Sequence, residues 1–318
     1  MPSPKPFVGI DLGGTNMQIG VVDKSGVVLG RARKKTNADQ GKDRVIERLV
    51  EGVQEACTQA GTTAAQLGGL GIGAPGAVDP NLGVVLEAVN LRWNDVPLAK
   101  ILKSKLSTPV YVENDVNVAV YGEWKHGSGR GATDILGIWM GTGVGGGLVL
   151  NSALYSGAFF TAGEIGHTTL FPGAAMGTRS LEQNCSRTAV ADRIIRLIRS
   201  NYPSSLAPTV MEEGQIKSKA IAEAFRSGDE LTIRVIDEVA VLVGIAAANV
   251  VTLLSLPRVI LGGGLTEAIG KPLVSLVKKT VREYAFPDRC KQVEVLASEL
   301  EDDAGLIGAA MLAREQLS

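Results

Sequence analysis

The stretch FVGIDLGGTNMQIGVVD, residues 7–23, is two apolar runs hinged on Gly-Gly-Thr. DILGIWMGTGVGGGLVL, residues 134–150, repeats the design with Gly-Thr-Gly at the hinge. Short Val- and Ile-rich runs joined by glycine turns read as strand–turn–strand units. A chain that carries this unit twice is tightly constrained, because each copy must find its own sheet to join. The first copy continues into a third strand from Val27 to Lys35, a helix over 42–61 closed by Gly61, and a strand over 67–75. A loop-rich stretch over 76–97 then leads to a helix near 98–106, a strand over 108–115 and a helix from Asn117. A similar set restarts at Asp134, with helices over 187–200, 216–226 and 229–255 inserted before the strands 258–264 and 292–297. One continuous helix is expected from Thr266 to Tyr284, a closing helix over 303–317, and an exposed connection over 201–215. The recurrence predicts an α/β protein of two similar lobes with a cleft between them.

Composition removes several classes of function. At 318 residues the chain is comfortable for two lobes. Its 45% hydrophobic and 20% charged residues are ordinary for a globular protein and exclude a disordered or fibrous one. Lys and Arg number 32 against 33 Asp and Glu, so the net charge of −1 gives no electrostatic reason to bind nucleic acid or a membrane surface. Aromatics at 4% are too few for base-stacking platforms. The three cysteines, Cys57, Cys185 and Cys290, form no CxxC pair, so neither a disulfide framework nor a cysteine-rich zinc knuckle is on offer. Together with the lack of a signal-peptide pattern they predict a reducing, cytoplasmic setting. One uncharged run, VAVLVGIAAANVVTLLSL (239–256), imitates a membrane span. It extends the charged helical pattern LTIRVIDE and runs into the strand-like PRVILGGG, so a buried helix is the expectation.

Three glycine-rich loops stand out: GIDLGGTN (9–16), GTGVGGG (141–147) and GGGL (262–265). Glycine lets backbone N–H groups approach an anion closely. GTGVGG fits the dinucleotide pattern GxGxxG, and so does GIGAPG (71–76), but neither opens a helix as that fingerprint requires. The first two loops instead suit the phosphates of a nucleotide held from two sides. Asp11, on the strand before the first turn, is placed to organise Mg²⁺ through water. The third loop runs from strand to helix and offers a helix N-terminus.

VENDVN (112–117) is the candidate catalytic segment. Glu113, Asn114, Asp115 and Asn117 crowd polar groups onto a strand end where a routine helix cap would need only one of them. A carboxylate there can accept a hydroxyl proton. Two histidines occur, His126 and His167. His126 in WKHGSGRG reads as an ordinary exposed residue without a role. His167 stands three residues after Glu164 and fifteen before Glu182, a set that suits a hydroxyl-rich ligand. A zinc reading needs more ligands than this stretch supplies.

DLGGTN, APG, VNLRW, VENDVN, GTGVGGG, GEIGH, SLE and ILGGGL, in this order and across nearly the whole chain, resemble the motifs of the ROK family of sugar kinases and repressors. The resemblance implies an actin/hexokinase-like fold of two ribonuclease-H-like lobes with an interlobe cleft. It divides the chain into a small lobe over 1–116, rejoined by the closing helix 303–318, and a large lobe over 117–302. It implies Asp115 as general base and Gly76, Asn90, Asn114, Asp115, Glu164, His167 and Glu182 around a hexose. Asp11, Gly13, Gly14, Thr15, Asn16, Thr142, Gly143, Gly263 and Gly264 are implied around ATP and Mg²⁺. A homodimer or homotetramer is the implied assembly. Family members usually carry a CxCGxxGCxE zinc motif after GEIGH; here GAAMGTRSLEQ keeps the glutamate and lacks the cysteines, so no structural zinc is expected. The loop carrying Glu182 is then expected to be braced by packing around Met176 and Leu181. Asn16–Gln18 also stands where basic residues are common in the family.

The leading expectation is ATP-dependent phosphorylation of glucose, with fructose or an N-acetylhexosamine as the alternative substrate. A sugar-responsive repressor would need a DNA-binding module, and the first strand here begins at residue 7. A non-catalytic sugar-binding protein would be expected to lack Asp115, and a NAD-dependent oxidoreductase fails on the strand–helix context of its glycines.

Overall fold

The computed structural model describes residues 5–318. In chain order the first elements are β1 (Phe7–Leu12), β2 (Asn16–Val22), β3 (Val28–Lys35), α1 (Lys42–Gln59) and β4 (Gly69–Ala74). Then come β5 (Ala77–Asp79), β6 (Val84–Ala88), β7 (Trp93–Val96), α2 (Leu98–Leu106), β8 (Val110–Asn114) and α3 (Asp115–His126). The second set is β9 (Ile135–Met140), β10 (Val144–Leu150), β11 (Ala153–Leu154), α4 (Leu181–Cys185), α5 (Arg187–Arg199), α6 (Ala207–Glu213), α7 (Ser218–Arg226) and α8 (Glu230–Leu254). The chain closes with β12 (Arg258–Gly262), α9 (Gly264–Ile269), α10 (Lys271–Tyr284), β13 (Glu294–Ala297) and α11 (Ala304–Leu317).

Two compact units result. The first holds the chain up to Gly131, Leu154–Ala162 and Asp302–Ser318; the second holds Ala132–Ala153 and Gly163–Glu301. Each unit is built on a five-stranded mixed sheet, ordered β3-β2-β1-β4-β8 in the first and β11-β10-β9-β12-β13 in the second. Each sheet has an antiparallel hairpin, β1–β2 or β9–β10, followed by two parallel neighbours. The repeated sequence unit therefore forms the same corner of two like-ordered sheets, and the fold is the α/β actin/hexokinase-like one.

The central strands β1 and β4 of the first sheet are buried on both faces, while the edge strand β3 exposes alternate residues. Glycines on one face admit the backbone of α11: a Cβ on Gly9 would lie 1.9 Å from the Leu306 carbonyl oxygen, and one on Gly71 1.9 Å from that of Ala309. The helix itself is thinned in the same way, since a Cβ on Gly308 would lie 1.7 Å from the Val118 oxygen on α3. The sequence reading starts the second lobe at residue 117, inside α3. In the structure α3 remains whole in the first unit, because Val118 and Tyr121 bury against Ala309 and Leu312 of α11.

Three local expectations give way. The 76–97 stretch is a three-stranded antiparallel sheet, β5-β6-β7, rather than a loop. Its tight turn is set by the Asp79 carboxylate, which accepts from the Asn81 and Leu82 N–H groups, and buried Val85 and Trp93 anchor the strands. Within 201–215, Pro208 in the first turn and Gly214 at φ 69° past the end bound the short helix α6. The single helix expected over 266–284 is two, broken at Gly270, which sits at φ 74°. The membrane-like run lies in α8, which is long and apolar enough to cross a bilayer. Its Val235, Ile236, Val239, Val243, Ala247 and Val251 instead fill the core of the second unit.

Candidate functional site

In the first unit the expected residues gather at the C-terminal ends of β1, β4 and β8. Asn114, not Asp115, is the N-cap of α3: its side-chain oxygen accepts from the Val116 and Asn117 N–H groups at 2.9 and 3.0 Å. Its amide also donates to the Gly76 carbonyl at 3.0 Å, which fixes the turn after β4. Asp115 is thereby relieved of the capping duty that would otherwise explain it, although its own Oδ1 still accepts from the Val116 N–H at 2.9 Å. Beneath it Glu113 is 1% exposed. Its carboxylate accepts from the Asn114 N–H (2.9 Å) and the Asn117 amide (3.1 Å). Burial pushes the Glu113 carboxyl up, and those hydrogen bonds together with one from Tyr111 pull it back.

Asp11, at the end of β1, is pushed up to about 7 by burial, then by the charges of Asp115 and Asp302, with Arg33 opposing. Asp115 and Asp302 act on Asp11 through their charge without closing into a direct three-ligand set, so Asp11 fits Mg²⁺ held through water. α11 reaches this spot through Gly305, where a Cβ would lie 2.9 Å from the Asp11 carboxyl carbon. The Gly13–Thr15 turn stands beside it. Thr36, fully buried, donates from Oγ1 to the Gly13 oxygen at 2.6 Å and from its N–H to the Thr15 oxygen at 2.9 Å. Asn90 packs on the turn, since a Cβ on Gly14 would lie 3.1 Å from the Asn90 Cβ. Asn16 opens β2 directly after the turn.

In the second unit Gly141–Gly143 forms the matching turn, closed by the Gly141 N–H donating to the Gly143 oxygen at 2.9 Å. Side chains stitch it to the start of α5: Arg187 donates to the Thr142 hydroxyl at 3.1 Å, and the Thr188 hydroxyl donates to the Thr142 oxygen at 3.1 Å. Glu182, in the first turn of α4, accepts from the Val144 N–H at 2.9 Å. A Cβ on Gly143 would lie 2.2 Å from that carboxylate, so only glycine lets Glu182 seat there. Thr142 and Glu182 both line an open cavity of about 890 Å³ whose lining also includes Asp192, Arg193, Arg196 and Glu238.

Glu164 and His167 flank one 3₁₀ turn, Ile165–His167, and face each other with 3.8 Å between Oε2 and Nε2. Partial burial pushes the Glu164 carboxyl up; His167 lowers it and the Glu182 charge raises it, which places all three groups in one neighbourhood. Gly263 caps α9 at φ 85°, against the Met140 backbone at the end of β9, and Gly264 follows in the helix. His126 is half-buried rather than exposed. Its imidazole lies against Gly26, and burial, then Arg130 and Lys125, push its pKa down. Among the described residues no group of three His, Cys, Asp or Glu is arranged to hold a metal. Cys185, the last residue of α4, is buried, its thiol pushed up to about 12 by burial.

The expected packing of Met176 does not occur: that residue is 88% exposed at the loop tip, while Leu181 is fully buried. Hydrogen bonds from Arg179, Gln183 and Asn184 hold the loop instead. Sequence reasoning passed over these residues, and Thr36, Glu113, Arg187 and Thr188 with them, in any positioning role. A usable signal was present in Ser180 followed three residues later by Gln183, the pattern of a capping box.

The ROK family profile matches residues 7–316. The chain belongs to the ROK family. Among ROK relatives, a glucokinase of Halalkalibacterium halodurans is 32% identical over 99% of this chain and 96% of its own length. A glucokinase of Thermotoga maritima is 33% identical over 100% and 99%. The crystal structure of a ROK family glucokinase from Streptomyces griseus, in complex with glucose and AMPPNP, superposes with a TM-score of 0.85 at 30% identity. It covers 98% of this chain and 99% of that one.

Proposed function

We propose that this chain is a sugar kinase that transfers the γ-phosphoryl group of ATP to a hydroxyl of glucose. The observation that carries the reading is local. Asp115 sits at the β8–α3 junction with its capping role taken over by Asn114, beside a carboxyl suited to Mg²⁺ and a glycine turn. The full-length glucokinase relatives support glucose as the substrate and ATP as the donor.

In this reading Asp115 accepts the proton of the attacking sugar hydroxyl, work worth roughly 10²–10⁴ in rate. Asn90, Gly76, Asn114, Glu164, His167 and Glu182 hold the sugar. Carboxylates accept from its hydroxyls, while imidazole and amide donate. The turns Gly13–Thr15 and Gly141–Gly143, with Asn16, Gly263 and Gly264, present backbone N–H groups and hydroxyls to the nucleotide. Asp11 would hold Mg²⁺ through water, and the ion would supply charge neutralisation on the phosphates. Phosphoryl transfer asks mainly for such positioning and charge. Glu113 acts through others, fixing Asn114 and Asn117 and hence the start of α3. A cytoplasmic location agrees with three cysteines that are all free and buried.

The test is direct. Purified protein with ATP and Mg²⁺ is assayed against glucose, mannose, fructose, N-acetylmannosamine and N-acetylglucosamine. Turnover with glucose at the highest kcat/KM is expected; absence of turnover on every hexose rejects the reading, and preference for another sugar reassigns the substrate.

A further inference from the structure

Glu182 is an expected sugar ligand carried on a very short helix. α4 has five residues, too few to hold together alone, and the segment before it, 171–179, is mostly exposed. Yet the Glu182 carboxylate has one definite seat, on the Val144 N–H at the edge of the glycine turn.

Three side chains tie together the loop and helix that carry Glu182. The Gln183 Oε1 accepts from both the Arg179 and the Ser180 N–H groups, at 2.8 and 3.1 Å, and its own N–H donates to the Ser180 hydroxyl at 3.3 Å. The Asn184 amide donates to the Thr178 oxygen at 2.9 Å and the Ser180 oxygen at 2.8 Å. Arg179 closes the loop on itself through Nε to the Ala174 oxygen at 2.7 Å. The loop's two ends are then clipped together: Leu170 and Phe171 donate to the Arg179 oxygen at 2.8 and 3.1 Å, and Leu181 to the Thr168 oxygen at 3.1 Å. Leu181 and Cys185, both fully buried, pin the inner face of α4, and the Gln183 and Asn184 hydrogen bonds tie its outer side to the loop.

We propose that Gln183 and Asn184 are positioning residues, a hydrogen-bonded brace that aims Glu182 at the Val144 N–H and thereby sets sugar affinity. The proposal rests on the sugar-kinase reading for its kinetic readout and on geometry alone for its second one. Neither side chain is assigned a contact with sugar or nucleotide. Removing either leaves two backbone groups to water and lets α4 turn.

The experiment compares Gln183→Ala, Asn184→Ala and their combination with the conservative Gln183→Glu, whose carboxylate can accept the same two N–H bonds. Glucose KM is expected to rise roughly fivefold for each single change and roughly twentyfold for both, as befits about one net hydrogen bond apiece. kcat and the ATP KM stay within about twofold, and Gln183→Glu returns glucose KM to near the wild-type value. In parallel, amide hydrogen exchange at Val144 is expected to accelerate in Gln183→Ala without any ligand present. Unchanged glucose KM with unchanged Val144 exchange overturns the brace, and so does a matching fall in kcat, ATP affinity and melting temperature, which marks general damage. Should the wild type phosphorylate no sugar, the exchange measurement still decides the brace while the kinase reading falls by itself.

Discussion

The two glycine turns occupy the same corner of two sheets with the same strand order, yet they are held in different ways. The first, Gly13–Thr15, is supported by the Thr36 side chain and backbone and follows Asp11, whose carboxyl feels the charges of Asp115 and Asp302. The second, Gly141–Gly143, is held from the side by long polar groups, Arg187, Thr188 and the Glu182 next to Gly143. A repeated fold therefore supplies the turns, and the side chains around them divide the labour. The first unit carries the charges that the proposed chemistry and metal ion need. The second carries hydrogen bonds that tie its glycine turn to Glu182, the glutamate proposed to bind the sugar.

That division can be broken most severely at Asp115. Asp115→Asn keeps the shape and loses the proposed base, so kcat with glucose should fall by roughly 10²–10⁴ in a coupled ADP-release assay. Next in size is a contrast between glycines. Gly143→Ala drives a methyl group into the Glu182 carboxylate, and glucose KM should rise about tenfold or more. Gly14→Ala meets Asn90 at 3.1 Å, a contact a small shift relieves, and should cost less on the same measurement.

A smaller effect concerns pH. The Asp11 carboxyl is raised to about 7 in the folded chain, so folding favours its neutral form. Its contribution is intact below the ordinary carboxylate range and is lost as pH rises through about 7. The melting temperature of the ligand-free protein should fall between pH 5 and pH 8 by scanning calorimetry, and the fall should flatten in Asp11→Asn. It should also shrink in Asp115→Asn, because the Asp115 charge is one of its causes. The smallest effect is expected for Arg187→Ala, which removes one hydrogen bond to Thr142. The ATP KM should rise a few-fold, near about 1 kcal/mol, with glucose KM steady.

Much of this was legible from residue order. Glycine turns between Val- and Ile-rich runs announce hairpins by local sterics alone, and both appear within a residue or two of the expected bounds. What the sequence hides is which of several polar neighbours takes a given job. Asn114 and Asp115 are both good helix caps, and only the backbone path after β8 decides for Asn114. Met176 and Leu181 are both apolar, and only the loop's course puts the first in solvent and the second in the core. The short strands β5–β7 escape a period-based reading because three to five residues give too little pattern. The extent of the first unit depends on α11 packing against α3, a contact between segments far apart in the chain.

The most direct test of this division of labour measures glucose binding and turnover together in Asp115→Asn. Isothermal titration should give a glucose Kd within about threefold of wild type, while kcat falls at least about a hundredfold. Turnover within tenfold of wild type, or a loss of glucose binding that parallels the loss of rate, would contradict it.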